Sequence, residues 1–160
     1  MTTSLPLEES ATTLVVTERG DSGARPDLCI AMTYEQRQRS RLRLILADGT
    51  PLALMLARGE RLLGGSTLRT RCGKTVLVEA AAEPLSVATA DNALVHARAC
   101  YHLGNRHLPL AIGSLEVRYL RDHVIDALAL RLGLKLEHVD APFQPEDGAY
   151  AGAHAHSHGH

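Results

Sequence analysis

The sequence predicts an α+β protein: a small β-rich domain over residues 1–83, a βαββαβ domain over 84–143 and a disordered histidine-rich tail over 144–160. Three observations predict it. Glycine-centred turns recur at short intervals between β-branched and leucine-rich runs in the first half. Beyond Pro84 the apolar pattern changes, and strand-like alternation twice gives way to helical spacing. At the end His154, His156, His158 and His160 alternate with Ala, Ser and Gly, residues too small to build a core.

The elements follow in order. Thr12–Thr17 is a short β-branched run. Arg41–Leu46 and Leu52–Leu56 flank Asp48-Gly49-Thr50-Pro51, a hairpin signal with a glycine ready for positive φ. Gly59 and Gly64-Gly65 mark further turns, and Gly73-Lys74 joins Arg69–Cys72 to Thr75–Glu79. Leu85–Thr89 alternates like a strand. Asp91 is placed to cap a helix carrying Leu94, Val95, Ala99 and Leu103, which Gly104 closes. Leu108–Ile112 and Leu115–Tyr119 bracket Gly113-Ser114 as a second hairpin. Asp122 caps a helix with Val124, Ile125, Leu128 and Leu132, stopped by Gly133, and Leu134–Val139 is the last strand. The order β-α-β-β-α-β is the split βαβ, or ferredoxin-like, arrangement.

Composition narrows the function. Apolar residues reach 45% while aromatics are only 3%, so the core must rest on Leu, Val, Ala and Ile. A net charge of −1 argues against a duplex nucleic-acid partner, which calls for a clear basic excess. The local run Arg37, Arg39, Arg41 and Arg43 reads as the wet face of a strand. No apolar run approaches the roughly 20 residues of a membrane span, and the first residues lack the basic and apolar regions of a secretory signal. Three scattered cysteines fit a reducing compartment, so the expected location is cytoplasmic. HExxH, GxSxG, GxGxxG and Walker A patterns are missing, and the reading is not an enzyme.

What remains is imidazole. A neutral ring nitrogen is the commonest protein ligand for borderline divalent ions, and a run of spaced histidines can bring several to one ion. The plainer reading, a polar terminus or purification tag, fits poorly because a tag is normally uninterrupted. Within the folded part, Tyr101–His107 is the densest polar stretch, and His107 follows a helix end where a ring can project. His102 sits in the last helical turn, where it complements the helix dipole. His96 and Cys100 share a helix face at i, i+4, yet two zinc ligands need two more, and Cys100 reads as a small buried apolar residue. His123 opens a helix, a poor place for a protonated ring, and His138 reads as solvated or interfacial.

Tyr101-His-Leu-Gly-Asn-Arg-His107 with Pro109-Leu110, then Leu115–Tyr119, Asp122–Asp126, Pro142-Phe143-Gln-Pro145-Glu-Asp-Gly148-Ala-Tyr150 and the histidine-rich end resemble the UreE family, urease accessory metallochaperones that deliver nickel. The resemblance implies a homodimer joined through ferredoxin-like domains, with His107 of each subunit meeting on the two-fold axis to hold one Ni²⁺, and His154, His156, His158 and His160 completing the shell. It implies hand-over with the accessory GTPase UreG and, through it, the urease apoprotein complex and other accessory proteins. His123 matches a peripheral metal position of some members. The companion histidine two residues earlier is Arg121 here, and a cysteine some members carry near the first helix is replaced by Ala90 and Asp91. The first half is consistent with the family's N-terminal domain, which resembles a peptide-binding subdomain of Hsp40-type chaperones.

Chemistry agrees with a shared imidazole pair. Two rings half-fill a tetrahedral shell, so Zn²⁺ or Cu²⁺ could also bind in vitro, copper most tightly by the Irving–Williams order. Two other readings compete. A passive nickel or zinc buffer would act through the tail alone, and a metal-dependent hydrolase would need an acid or base beside the ligands.

Overall fold

The computed structural model describes residues 13–147. They form two compact units that divide between Ala80 and Ala81, each with its own sheet. The histidine-rich end lies outside the described residues.

The first unit is a six-stranded sheet built from β1 (Leu14–Arg19), β2 (Leu28–Met32), β3 (Arg41–Ile45), β4 (Pro51–Met55), β5 (Thr67–Thr70) and β6 (Thr75–Ala80). Their order is β2-β6-β5-β1-β4-β3. The β3–β4 and β5–β6 pairs are the expected antiparallel hairpins. The first turns on Gly49 at φ 84°, with Asp48 Oδ1 accepting from the Thr50 N–H at 2.9 Å. The second turns on Gly73, also at φ 84°. Only glycine adopts such a φ without a Cβ penalty. β1–β4 and β2–β6 are parallel, a pairing no local signal announces. Alternate residues of the strands, among them Val16, Ile30, Leu52, Leu54, Leu68 and Val78, point inward to one core.

Two elements of this unit escaped the sequence reading. β2 is a short apolar run without clear alternation. The helix α1 (Tyr34–Arg37) is a single turn held by a capping box, in which Thr33 Oγ1 accepts from the Gln36 N–H and the Gln36 side chain accepts from the Thr33 N–H. The four arginines therefore do not share one strand face. Arg37 ends α1 and is fully buried, Arg39 lies in the connector, and only Arg41 and Arg43 sit on the exposed face of β3.

The second unit runs β7 (Ala82–Thr89), α2 (Ala93–Gly104), β8 (Ala111–Gly113), β9 (Glu116–Leu120), α3 (His123–Arg131), β10 (Lys135–Pro142). The strand order β10-β7-β9-β8 is wholly antiparallel and gives the expected ferredoxin-like sheet. β7 starts three residues earlier than Leu85, and β10 continues to Pro142, so these two strands pair over eight positions. Asn92, not Asp91, caps α2, its Oδ1 accepting from the Val95 N–H at 3.0 Å. Asp122 caps α3 as expected, accepting from Val124 and Ile125. The predicted strand Leu108–Ile112 shrinks to Ala111–Gly113 because Pro109 removes a ladder donor. Ala88, Ala99 and Ala129 are fully buried where helices meet sheet, small side chains that permit close approach.

Candidate metal centre

His107 is positioned by the end of α2 and the start of the β8 connection. After the helix the chain makes one more tight turn, with N–H groups of Asn105, Arg106 and His107 donating to the carbonyls of Tyr101, Leu103 and Gly104 at 3.1, 3.0 and 3.0 Å. His107 itself takes the left-handed conformation, φ 57°. Among the described residues only His107 and Leu115 do so without being glycine. A side chain there costs about 1 kcal/mol that glycine would avoid. The flanking residues are anchored: Leu103 is fully buried, Leu108 packs partly against the core, and Leu110 is 7% exposed. The imidazole between them is exposed. The result is a ring held outward on a fixed backbone.

On α2 two large apolar side chains are uncovered. Leu94 and Tyr101, seven residues apart and so on one helix face, are 60% and 66% exposed. Beyond β10 the chain returns towards the same loop. Phe143 is buried at 1% exposure, and the Glu146 N–H donates to the Leu110 carbonyl at 2.7 Å. Residues leading to the tail are thus tied three positions from His107.

The other histidines are placed apart from it in role. His123 is exposed at the first position of α3, beside Asp122, and among the described residues no His, Cys, Asp or Glu trio surrounds it. His102 is exposed and meets the Tyr101 ring edge-on at 5.2 Å. His96 Nε2 lies 3.2 Å from the Glu116 carbonyl and 3.7 Å from Cys100 Sγ. Burial pushes the Cys100 thiol up, as for a packed, uncharged side chain. Among the described residues no three potential ligands converge. His154, His156, His158 and His160 lie outside the described residues.

One polar cluster was not foreseen. Ser86, Tyr119 and His138 are cross-strand neighbours on β7, β9 and β10, and Asp126 reaches down to them from α3. Tyr119 OH donates to Asp126 Oδ1 at 3.0 Å, and His138 Nε2 lies 2.9 Å from Oδ2. Burial alone would raise the Asp126 carboxyl, but the Ser86, His138 and Tyr119 groups together hold it below the ordinary carboxylate range. Burial, reinforced by Asp126, pushes the Tyr119 phenol well up. The cluster pins α3 to the sheet. Asp126→Ala should cost about 1–3 kcal/mol, because it strands a phenol with no exposed surface. A carboxyl depressed by folding contributes stability above its unfolded value, near 3.8, that is lost as pH falls through the folded value. Urea titrations at pH 7 and pH 3 check both statements. The mutant should be weaker at pH 7, and the gap should narrow at pH 3.

Comparison with known proteins matches residues 15–81 to the family described as UreE urease accessory protein, N-terminal domain, and residues 83–160 to its C-terminal domain. The chain is 48% identical to urease accessory protein UreE of Alkalilimnicola ehrlichii over 139 residues, covering 87% of this chain and 85% of that one. It is 45% identical to the proteins of the same name from Nitrosococcus oceani and Vibrio parahaemolyticus, over 84% and 83% of this chain and 80% and 84% of theirs.

Proposed function

From the premise that this chain belongs to the UreE family of urease accessory proteins and serves urease maturation, we propose that it is a nickel carrier whose ion is gripped between two copies by His107. The observation that carries the proposal is the presentation of that ring: outward, on an anchored loop, in a backbone conformation better suited to glycine. A sequence that keeps a histidine there accepts strain for the side chain.

The second copy follows from ligand count. One imidazole cannot hold a divalent ion, and among the described residues His107 belongs to no group of three potential ligands. A two-fold axis beside His107 supplies the second ring at once. The tail supplies further nitrogens. Glu146 is fixed to Leu110, and His154 lies eight residues on. An extended chain of that length spans at most about 29 Å, and His107 lies within about 11 Å of Leu110. His154, His156, His158 and His160 are therefore within covalent reach of the shared ion. A shell closed by tethered side chains captures Ni²⁺ yet can release it stepwise, which suits hand-over to UreG and the urease apoprotein complex. Zn²⁺ and Cu²⁺ compete for the same nitrogens. His123, solitary on its helix, contributes at most a peripheral site.

Native mass spectrometry of the nickel-loaded full chain tests this reading. The expected species is two chains with one Ni²⁺ in the tight site, and strictly monomeric nickel-bound protein would overturn it. Removing residues 153–160 should weaken nickel binding by about 10–100-fold, the scale on which supporting groups act at metal sites, and lower the number of ions bound. A passive buffer working through the tail would instead lose all binding on this truncation.

A further inference from the structure

We propose that the hollow between the end of α1 and the turn after β4 binds the phosphate chain of a soluble polyphosphate anion, through Arg39, Arg41 and Arg58. The proposal is independent of the nickel reading.

Gln38, Arg39, Ser40, Arg41 and Arg58 line an open cavity of about 600 Å³. Local hydrogen bonds fix the backbone on both sides of it. The Gln38 N–H donates to the Tyr34 and Glu35 carbonyls, both at 3.2 Å, and the Arg39 N–H to the Gln36 carbonyl at 3.1 Å. The Leu56 N–H donates to the Ser40 carbonyl at 2.9 Å, and Arg41 stands cross-strand from Met55. Arg58 comes from a separate segment, a tight turn in which the Glu60 N–H donates to the Ala57 carbonyl at 3.1 Å. Gly59 takes φ 88° there, as a type II turn requires of its third residue. Guanidinium groups from two segments thus line one hollow.

Their charge is not cancelled. Glu35 pairs with Arg39, but both side chains are largely exposed, so the pair is weak and easily redirected. Glu60, beside the turn, is engaged elsewhere: it pairs with Arg19 at 3.3 Å and accepts from the Ala57 N–H at 3.1 Å. Arg41 and Arg58 form no ion pair among the described residues. Charged side chains also serve to keep sheet edges from pairing with one another. Arg39 and Arg58 lie outside the strands, however, and have no edge to guard. A hollow lined by one sign of charge focuses its field and concentrates the opposite ion. All five lining side chains carry hydrogen-bond donors, and the three arginines cannot accept. The complementary ligand is therefore rich in anionic acceptors, and phosphoryl oxygens match the guanidinium fork two at a time. A hollow on the scale of a small-molecule site suits a linked chain of phosphates better than a single one. No aromatic or large apolar side chain lines it, so it offers no platform to a base or an acyl chain.

The test titrates sodium tripolyphosphate into the metal-free full chain by isothermal calorimetry, at about pH 8, where imidazoles are neutral. Saturable binding is expected with Kd below about 1 mM in about 50 mM NaCl, and weaker in about 300 mM, because exposed charges are screened. The double change Arg41→Gln and Arg58→Gln should weaken it at least about tenfold. Glu35→Gln releases Arg39 and should tighten it, a gain that damage to the fold cannot produce. Arg43→Gln, on the exposed face of β3 but outside the cavity, should change it by less than about twofold. Far-UV circular dichroism confirms that each variant is folded. A nucleoside triphosphate should bind like tripolyphosphate, because the phosphate chain alone is recognised. No saturation below about 1 mM, or equal affinity of wild type and double variant, would each overturn the proposal. So would citrate binding as tightly as tripolyphosphate, or a nucleoside triphosphate binding about tenfold more tightly. A loss in Arg43→Gln as large as in the double variant would mean a diffuse surface field without a site, and would overturn it too.

Discussion

If His107 of two copies grips one Ni²⁺ as proposed, His107→Ala is expected to lower affinity for that ion by at least about a hundredfold, since both fixed ligands disappear together. Isothermal titration of Ni²⁺ into wild type and variant checks this, and unchanged stoichiometry in the variant would remove the shared-ion reading. Any binding that survives should belong to His154, His156, His158 and His160 and should vanish when residues 153–160 are also deleted. The backbone makes a second comparison informative. His107 has φ 57°, where glycine is unstrained. His107→Gly should lose the same nickel site yet stabilise the apoprotein by up to about 1 kcal/mol relative to His107→Ala. Loss of function coupled to a gain in stability is hard to produce by general damage to the fold. A fall in the stability of both variants would mean that the ring packs within its own subunit, contrary to its exposure.

The legible parts of this molecule are those written in local sequence. Asp48-Gly49 and Gly73-Lys74 announce tight turns, and the β3–β4 and β5–β6 hairpins form there. The helical spacing of Leu94, Val95, Ala99 and Leu103 yields α2, displaced by one residue at its cap because Asn92 outcompeted Asp91. The ferredoxin-like order follows once those elements are known. What was illegible is non-local or too short to be periodic. Nothing near Leu14–Val16 or Leu52–Leu54 says that these segments pair in parallel. A helix of one turn has no repeat to detect, although the Thr33-x-x-Gln36 capping box was there to be read. For the site, a position just past a helix end predicted the exposure of His107, and the family resemblance rather than spacing singled that residue out. Local sequence carries no sign of its left-handed backbone or of the hydrogen bond that ties Glu146 to Leu110. The Ser86–Tyr119–Asp126–His138 cluster was missed for a similar reason: its members come from three strands and a helix and meet only through sheet register.

Arg37 is where strand-like alternation misled most, and it carries the largest expected effect on stability. The side chain has no exposed surface. Its Nε–H donates to the Met32 carbonyl at 3.3 Å, and its guanidinium stands 5.9 Å from the centre of the Tyr34 ring. Its backbone N–H closes the single turn of α1 by donating to the Thr33 carbonyl at 3.0 Å, and its carbonyl accepts from the Leu62 N–H at 2.8 Å. A buried cation persists only when its donors are satisfied, and truncating it leaves both a void and orphaned acceptors. Arg37→Ala should therefore cost about 3 kcal/mol or more, against under about 0.5 kcal/mol for Arg43→Ala on the exposed face of β3. Arg37→Met fills most of the volume without a charge, so its cost should fall between the two, and closer to Arg43→Ala if packing outweighs hydrogen bonding at this position. Urea midpoints order the three variants, and amide exchange at Leu62 reports whether α1 has loosened from the core. Equal midpoints for Arg37→Ala and Arg43→Ala would mean that the guanidinium is held without contributing to stability. A large loss for Arg37→Ala with nickel binding intact would show that the N-terminal sheet can weaken without disturbing His107.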